Sequence, residues 1–248
     1  MAPRRPPSPA PDFRANRLLA VLPPAEYDAL APHLAPARWR AGETIQAPGE
    51  RLRDVYFPLT GVASVVVAMA DGALVDVGTI GCEGLVGLPS FHGADHSPLA
   101  IIGQVPGAYA RLPVVALREA AAPGSRLHAL LARFAQALYV FAAQVGACNR
   151  LHPVEQRCAR WLLATQDRAG ADTFPLTHEL LGEMLGVTRV SVTRAAGALQ
   201  RAGLIAYRRG VVTVCDRAGL EGAACECYGV IAGTYARLLG DAGAPPPG

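Results

Sequence analysis

The sequence predicts an α+β protein of two units: an N-terminal antiparallel β jelly roll, then a long helix, then a C-terminal helical unit closed by a short hairpin. Three observations carry this. From Trp39 to about Pro113, short β-branched runs alternate with glycine turns at roughly ten-residue spacing. From Ser125 to Leu151 no proline interrupts the chain, and apolar residues recur at steps of three and four. Beyond Gly170, two apolar-periodic segments are separated by a glycine and followed by two β-branched runs around a basic turn.

A length of 248 residues fits two ordinary domains. An apolar fraction of 51% with 17% charged residues excludes a mainly disordered chain. Residues 1–16, with Pro3, Pro6, Pro7, Pro9 and Pro11, are the exception and are expected to form a disordered tail. Arg4-Arg5 is followed by prolines instead of an apolar run, so no export signal is expected and the location expected is cytoplasmic. The most apolar stretches, 59–69 and 138–148, are broken by Asp71, Gln144 and Gly146, short of a bilayer span, so no membrane partner is expected.

Within the β unit, "AGETIQAPGE", "VYFPLTGVASVVVAM", "DGALVDVGTIG" and "AIIGQVPGAYARLP" read as successive strands, with Asp71-Gly72 a tight hairpin turn. Ahead of them, residues 16–34 read as one or two short helices, with Asn16 placed to cap the first. Residues 17–124 are therefore expected to be one β domain. After Pro123-Gly124, Ser125 is an N-cap for a helix over 125–151, roughly 40 Å long. Along it Leu127, Leu131, Phe134, Leu138, Phe141, Val145 and Cys148 step by four and three, the a/d pattern of a coiled coil. This seam predicts a dimerisation helix and a homodimer.

Pro153 opens a further unit, 152–240, whose segment "FPLTHELLGEMLGVTRVSVTRAAGALQRAGLIAYRRGVVTVCD" is the most informative in the chain. Thr177 can cap a helix that Gly186 ends, and Thr188 can cap a second helix. The second helix would bury Val192, Ala195, Ala196 and Leu199 and leave Arg189, Ser191, Thr193, Arg194 and Arg201 outward. Two helices joined by a short glycine turn make a helix-turn-helix, and the strands around Arg208-Arg209-Gly210 make a wing. From Arg150 to Arg217 there are ten arginines against six acids, a balance suited to double-stranded DNA.

The chain resembles the Crp/Fnr family of bacterial regulators over nearly its full length. The opening strands "RAGETIQAPGERLRDVYFPLTGVASVVV" and the segment "LTHELLGEMLGVTRVSVTRAAGALQRAGLI" carry the resemblance. It implies a β sensor domain, a long dimerisation helix and a winged helix-turn-helix. Arg189, Ser191 and Arg194 would face the DNA groove, while Thr177 and Arg208 would touch the backbone. Beside what the resemblance implies, the pattern of the residues adds Thr188, Val190 and Thr193 to the expected DNA-binding set and places Arg208 and Arg209 at the wing tip to meet phosphates. RNA polymerase would be a further partner if the protein activates. Val190 stands where the family often has a glutamate, so the favoured base sequence is not carried over.

Family members that bind cyclic nucleotides pair the phosphate with an arginine and the ribose with a glutamate. Glu83 is present, but no arginine occurs from residue 54 to residue 110, so the effector is unknown and is not expected to be cyclic AMP. The first cysteine is Cys82, which leaves the N-terminal iron–sulfur ligands of oxygen-sensing relatives without counterparts. The six cysteines lack paired CxxC spacing, and Cys225 and Cys227, placed on a C-terminal helix, would point to nearly opposite faces. His92 and His96 fall in a loop. No metal, no cofactor and no catalytic residue are therefore expected. The alternatives are a metal-dependent, cupin-like β-barrel enzyme and a non-specific nucleic-acid-binding protein.

Overall fold

The computed structural model describes residues 12–240, so most of the expected tail lies outside the described residues. Residues 12–16, also assigned to that tail, are ordered. Asp12 caps a 3-10 turn, Phe13–Ala15, and Asn16 is fully buried. Its side-chain oxygen accepts from Leu18 N (3.1 Å) and Leu19 N (3.3 Å), and its amide donates to Pro58 O (2.9 Å) and Gly84 O (3.0 Å). One residue thus caps α1 (Arg17–Ala20) and ties it to two loops of the β unit. Local proline content did not reveal that anchor. After α1 comes α2 (Pro24–Leu30), with proline at its first position, where the missing N–H costs nothing.

The β unit holds β1 (Ala35–Trp39), β2 (Thr44–Gln46), β3 (Asp54–Pro58), β4 (Val62–Ala68), β5 (Leu74–Ile80), β6 (Ala100–Val105) and β7 (Gly107–Pro113). They form two antiparallel sheets, ordered β1-β7-β3 and β2-β6-β4-β5. The fold is α+β, with the two sheets packed over a common core. Gly61 and Gly107 touch where two loops cross: a Cβ on Gly107 would lie 2.0 Å from Thr60 O.

Strand β4 is not an alternating strand. Its sequence VASVVVA is buried over five consecutive residues because both of its faces are covered. Ala63 and Val65 enter the core between the sheets, whereas Val62 and Val66 belong to a second core shared with the C-terminal unit.

Helix α3 (Val114–Ala120) leads to α4 (Arg126–Leu151), which Ser125 caps by accepting from His128 N at 3.0 Å. As a helix of 26 residues with a window of mean hydropathy 1.3, α4 is long and apolar enough to cross a membrane, although the sequence stretches considered singly were not. Its apolar side is already occupied, since Leu127, Leu131, Phe134, Phe141 and Val145 are buried with residues of both sheets.

The C-terminal unit comprises α5 (Val154–Ala169), β8 (Thr173–Pro175), α6 (His178–Leu185), α7 (Arg189–Arg201), β9 (Ile205–Arg208), β10 (Val211–Val214), α8 (Arg217–Ala223) and α9 (Cys227–Leu239). A third antiparallel sheet, β8-β10-β9, backs the helices. The unit expected over 152–240 is less separate than the sequence implied, because Ile231, Tyr235 and Leu239 of α9 join the core of the β unit.

Helix α5 holds the two units together and is buried almost all round. Arg168 pairs with Glu83 at 2.9 Å and donates to Thr79 O at 2.8 Å. Ser64 donates to Gln104, whose amide donates to Thr165 (2.8 and 2.6 Å), and Trp161 Nε1 donates to Asp76 at 3.1 Å.

Burial pushes the Asp76 carboxyl up to about 7, against the opposing charge of Arg160 and the donors Gly78 N, Thr79 and Trp161. An unfolded aspartate ionises near 3.9, so between about 4 and about 7 the folded chain keeps a proton that the unfolded chain has lost. Stability from this group is present in acid and declines as pH rises through that window. Asp76→Asn should flatten the decline, raising the melting temperature relative to wild type more at about pH 8 than at about pH 5. Parallel melting curves at the two pH values would remove Asp76 as the cause.

Candidate nucleic-acid interface

Thr177 caps α6 by accepting from Leu180 N at 3.1 Å, and Gly186 ends it in the left-handed conformation (φ 62°). Two residues later Thr188 caps α7, accepting from Ser191 N at 3.3 Å. Leu181, Met184 and Leu185 of α6 pack with Val192, Ala195, Ala196 and Leu199 of α7 in one core. The opposite face of α7 therefore presents Arg189, Val190, Thr193 and Arg194 outward, with Ser191 half-buried. Val190 is a large apolar side chain left 62% exposed on this face.

The wing is a two-residue hairpin in which Arg208 pairs with Val211. Arg209 (φ 50°) and Gly210 (φ 76°) both take left-handed backbone, which this turn requires. Arg208 and Arg209 are exposed, and Leu176 N donates to Gly210 O at 2.8 Å, setting Thr177 beside the turn.

Sequence reasoning missed His178. Its ring lies tilted against that of Tyr207 of β9, 4.5 Å between centroids, and its Nδ1 lies 3.1 Å from Thr193 Oγ1, whose hydroxyl donates to Arg189 O at 2.9 Å. Burial and the charge of Arg189 pull the imidazole below its ordinary range, and the ring joins α6, α7 and the wing. The only signal in the sequence was its place just after the Thr177 cap.

Residues 156–223 match the family model of the Crp-like helix-turn-helix domain. The solved structure of FixK2 from Bradyrhizobium japonicum superposes with a TM-score of 0.66 at 19% identity, covering 77% of this chain and 98% of that one. A CRP-family transcriptional regulator from Thermus thermophilus superposes with a TM-score of 0.60 at 24% identity over 77% and 99% of the two chains. The c-di-GMP responsive regulator CLP of Xanthomonas campestris gives 0.62 at 16% identity over 77% and 98%. The chain has the Crp/Fnr regulator fold. Among curated proteins, none matches it.

Within this Crp/Fnr fold, two groups of sequence-predicted residues sit elsewhere than expected. The seam Leu127, Leu131, Phe134, Phe141, Val145 and Cys148 is turned inward and buried within one chain, and Leu138 lines a cavity of the β unit. The outward positions of α4 include Ala129, Ala132, Gln136, Tyr139, Ala143 and Gly146, which follow the same three-and-four spacing half a turn away, with Arg126, Ala147, Arg150 and Leu151 exposed toward its ends. Glu83, the candidate effector contact, is buried, accepts from Gly81 N and pairs with Arg168, so it is not free to hold a ribose.

The cavity measures about 270 Å³, and Val65, Ile80, Leu85, Leu88, Leu99 and Ile101 line it with Leu138 and the few polar groups of Gln46, His92 and Ser97. No arginine or lysine is among its lining residues, all of which are described.

Thr188→Ala should remove the cap of α7 and destabilise the fold by about 1 kcal/mol, while Thr188→Ser should stay near wild type in urea unfolding. Equal losses for the two variants would show that the methyl group, not the hydroxyl, supports the turn.

Proposed function

We propose that this protein is a sequence-specific DNA-binding transcriptional regulator that acts as a homodimer and is not an enzyme. The observation that carries the reading is the outward face of α7, where Arg189, Val190, Thr193 and Arg194 stand together at the entrance of a Crp-like helix-turn-helix, flanked by a basic wing. The assignment is residues 17–124 as sensor domain, 125–151 as dimerisation helix and 152–240 as DNA-binding unit, in a cytoplasmic protein. RNA polymerase is the further partner if it activates.

The apolar cavity supports an uncharged, apolar effector over a cyclic nucleotide, because a buried phosphate there would have no cation and Glu83 is already paired. A metal-dependent barrel enzyme is disfavoured by the same lining.

Two recognition helices in a two-fold dimer would occupy pseudo-palindromic half-sites about 34 to 36 Å apart. On a site recovered by genomic binding selection, Arg194→Ala should lower affinity by about 1 to 3 kcal/mol and relax base preference. Arg208→Ala should weaken specific and random DNA alike and reduce the salt slope by about one. Equal affinity of the unmutated chain for all sequences would favour the non-specific alternative.

For the dimer, the exposed stripe of α4 is the surface that a second copy would cover, its small residues allowing close helix approach around Tyr139, which is 70% exposed. Ala143→Glu should yield monomers in light scattering and abolish binding to the paired site. A wild-type chain that is monomeric at micromolar concentration would end the dimer reading.

A further inference from the structure

We propose that Cys148, His152, Cys225 and Cys227 form a tetrahedral zinc site that staples the end of α4 to the start of α9. Their ligand atoms all lie within 4.8 Å of one another. Cys148 Sγ is 3.5 Å from Cys225 Sγ, and Cys227 Sγ is 3.5 Å from His152 Nδ1. A zinc ion at about 2.3 Å from sulfur and about 2.0 Å from nitrogen sets its ligands roughly 3.5 to 3.8 Å apart along the edges of the tetrahedron, so those edges are near closure already.

Two short segments supply the four ligands. Cys148 lies in the last turn of α4 and His152 is the extended residue that caps it, its N–H donating to Cys148 O at 3.0 Å, which keeps the two side chains together. Cys225 lies in the turn before α9, and Cys227 is the first residue of that helix. The expectation that 225 and 227 point to opposite faces fails because only one of them is helical. A cluster of several irons would spread its thiolates over separate metal centres, whereas this set encloses the space of one ion.

The surroundings fit the charge. His152 Nε2 is 3.3 Å from Glu226 Oε1, which fixes the ring with Nδ1 toward the thiols, as the carboxylate partner of a zinc-bound histidine does. The three cysteines are buried and form a core of their own, separate from both apolar cores, and Gln144 Nε2 donates to Cys227 Sγ at 3.2 Å. Three thiols that lose their protons to bind Zn²⁺, with a neutral imidazole, leave a net charge of −1. The buried guanidiniums of Arg157 and Arg160 act electrostatically on Cys148, and each retains N–H groups without a protein partner among the described residues. All four positions are protein ligands, so the site is closed and structural, with no place for a reacting water.

The full-length chain, purified with reductant and without chelator, should carry about one zinc per chain by plasma mass spectrometry. Cys148→Ser and Cys225→Ser should each lower that content at least roughly tenfold. Because a serine variant can fail to fold, the wild-type chain is also stripped with a chelator and titrated with cobalt(II). It should saturate at about one ion with the visible and charge-transfer absorption of a tetrahedral thiolate complex, and zinc but not magnesium should raise its melting temperature. A chain that is metal-free as purified and takes up no cobalt overturns the site, as does cobalt binding without thiolate absorption. A Cys148–Cys225 disulfide as the sole state of these thiols in non-reducing peptide mapping overturns it too, and makes them a redox pair.

Discussion

The buried ion pair between Arg168 and Glu83 is the contact on which the rest of the structure depends. Its guanidinium meets the end of β5 and the loop after it through Thr79 O and Glu83, lies 5.2 Å from the ring of Phe141 on α4 and 4.9 Å from that of Tyr235 on α9, and is carried by α5. Four parts of the chain that are distant in sequence thus converge on one charge. Glu83 holds that arginine firmly in its charged form although burial acts in the opposite direction. Neither ion can be released into a dry interior without the other, and breaking such a pair from one side costs about 3 to 5 kcal/mol. The same carboxylate also accepts from Gly81 N, so the loop after β5 is fixed by the pair that fixes α5.

The helix-turn-helix and wing were legible in the sequence because their determinants are local. Thr177 and Thr188 cap within three residues, Gly186 supplies a left-handed turn, and Arg209-Gly210 closes a two-residue hairpin. Each can be read from a window shorter than ten residues or so, without knowing what lies opposite.

The direction in which α4 faces was not legible, for a definite reason. The helix carries two stripes with the same three-and-four spacing, one of large apolar residues from Leu127 to Cys148 and one from Ala129 to Gly146 that is mostly small but includes Gln136 and Tyr139. Periodicity finds both but does not say which partner each meets. The large stripe goes to the chain's own core, where the sheets and α9 claim it, and the small one is left at the surface. The thiols escaped notice for the related reason that their convergence depends on a turn between α8 and α9, and residues 156–223 of the matched domain end just short of it. His178 was hidden because its ring contact with Tyr207 is made across 29 residues of sequence.

Strand β4 is a party wall. Its inner residues, Ala63 and Val65, close the β core, and its outer ones, Val62 and Val66, close the core that contains α5, α6 and α7. A wall owned by two rooms cannot be removed from one alone. Separating the C-terminal unit from the sheet would uncover Trp161, Leu162 and their neighbours together with the polar chain through Gln104 and Thr165. The helices of the C-terminal unit therefore rest on a wall that also closes the β core, and a displacement of β4 moves the surface on which both cores are packed.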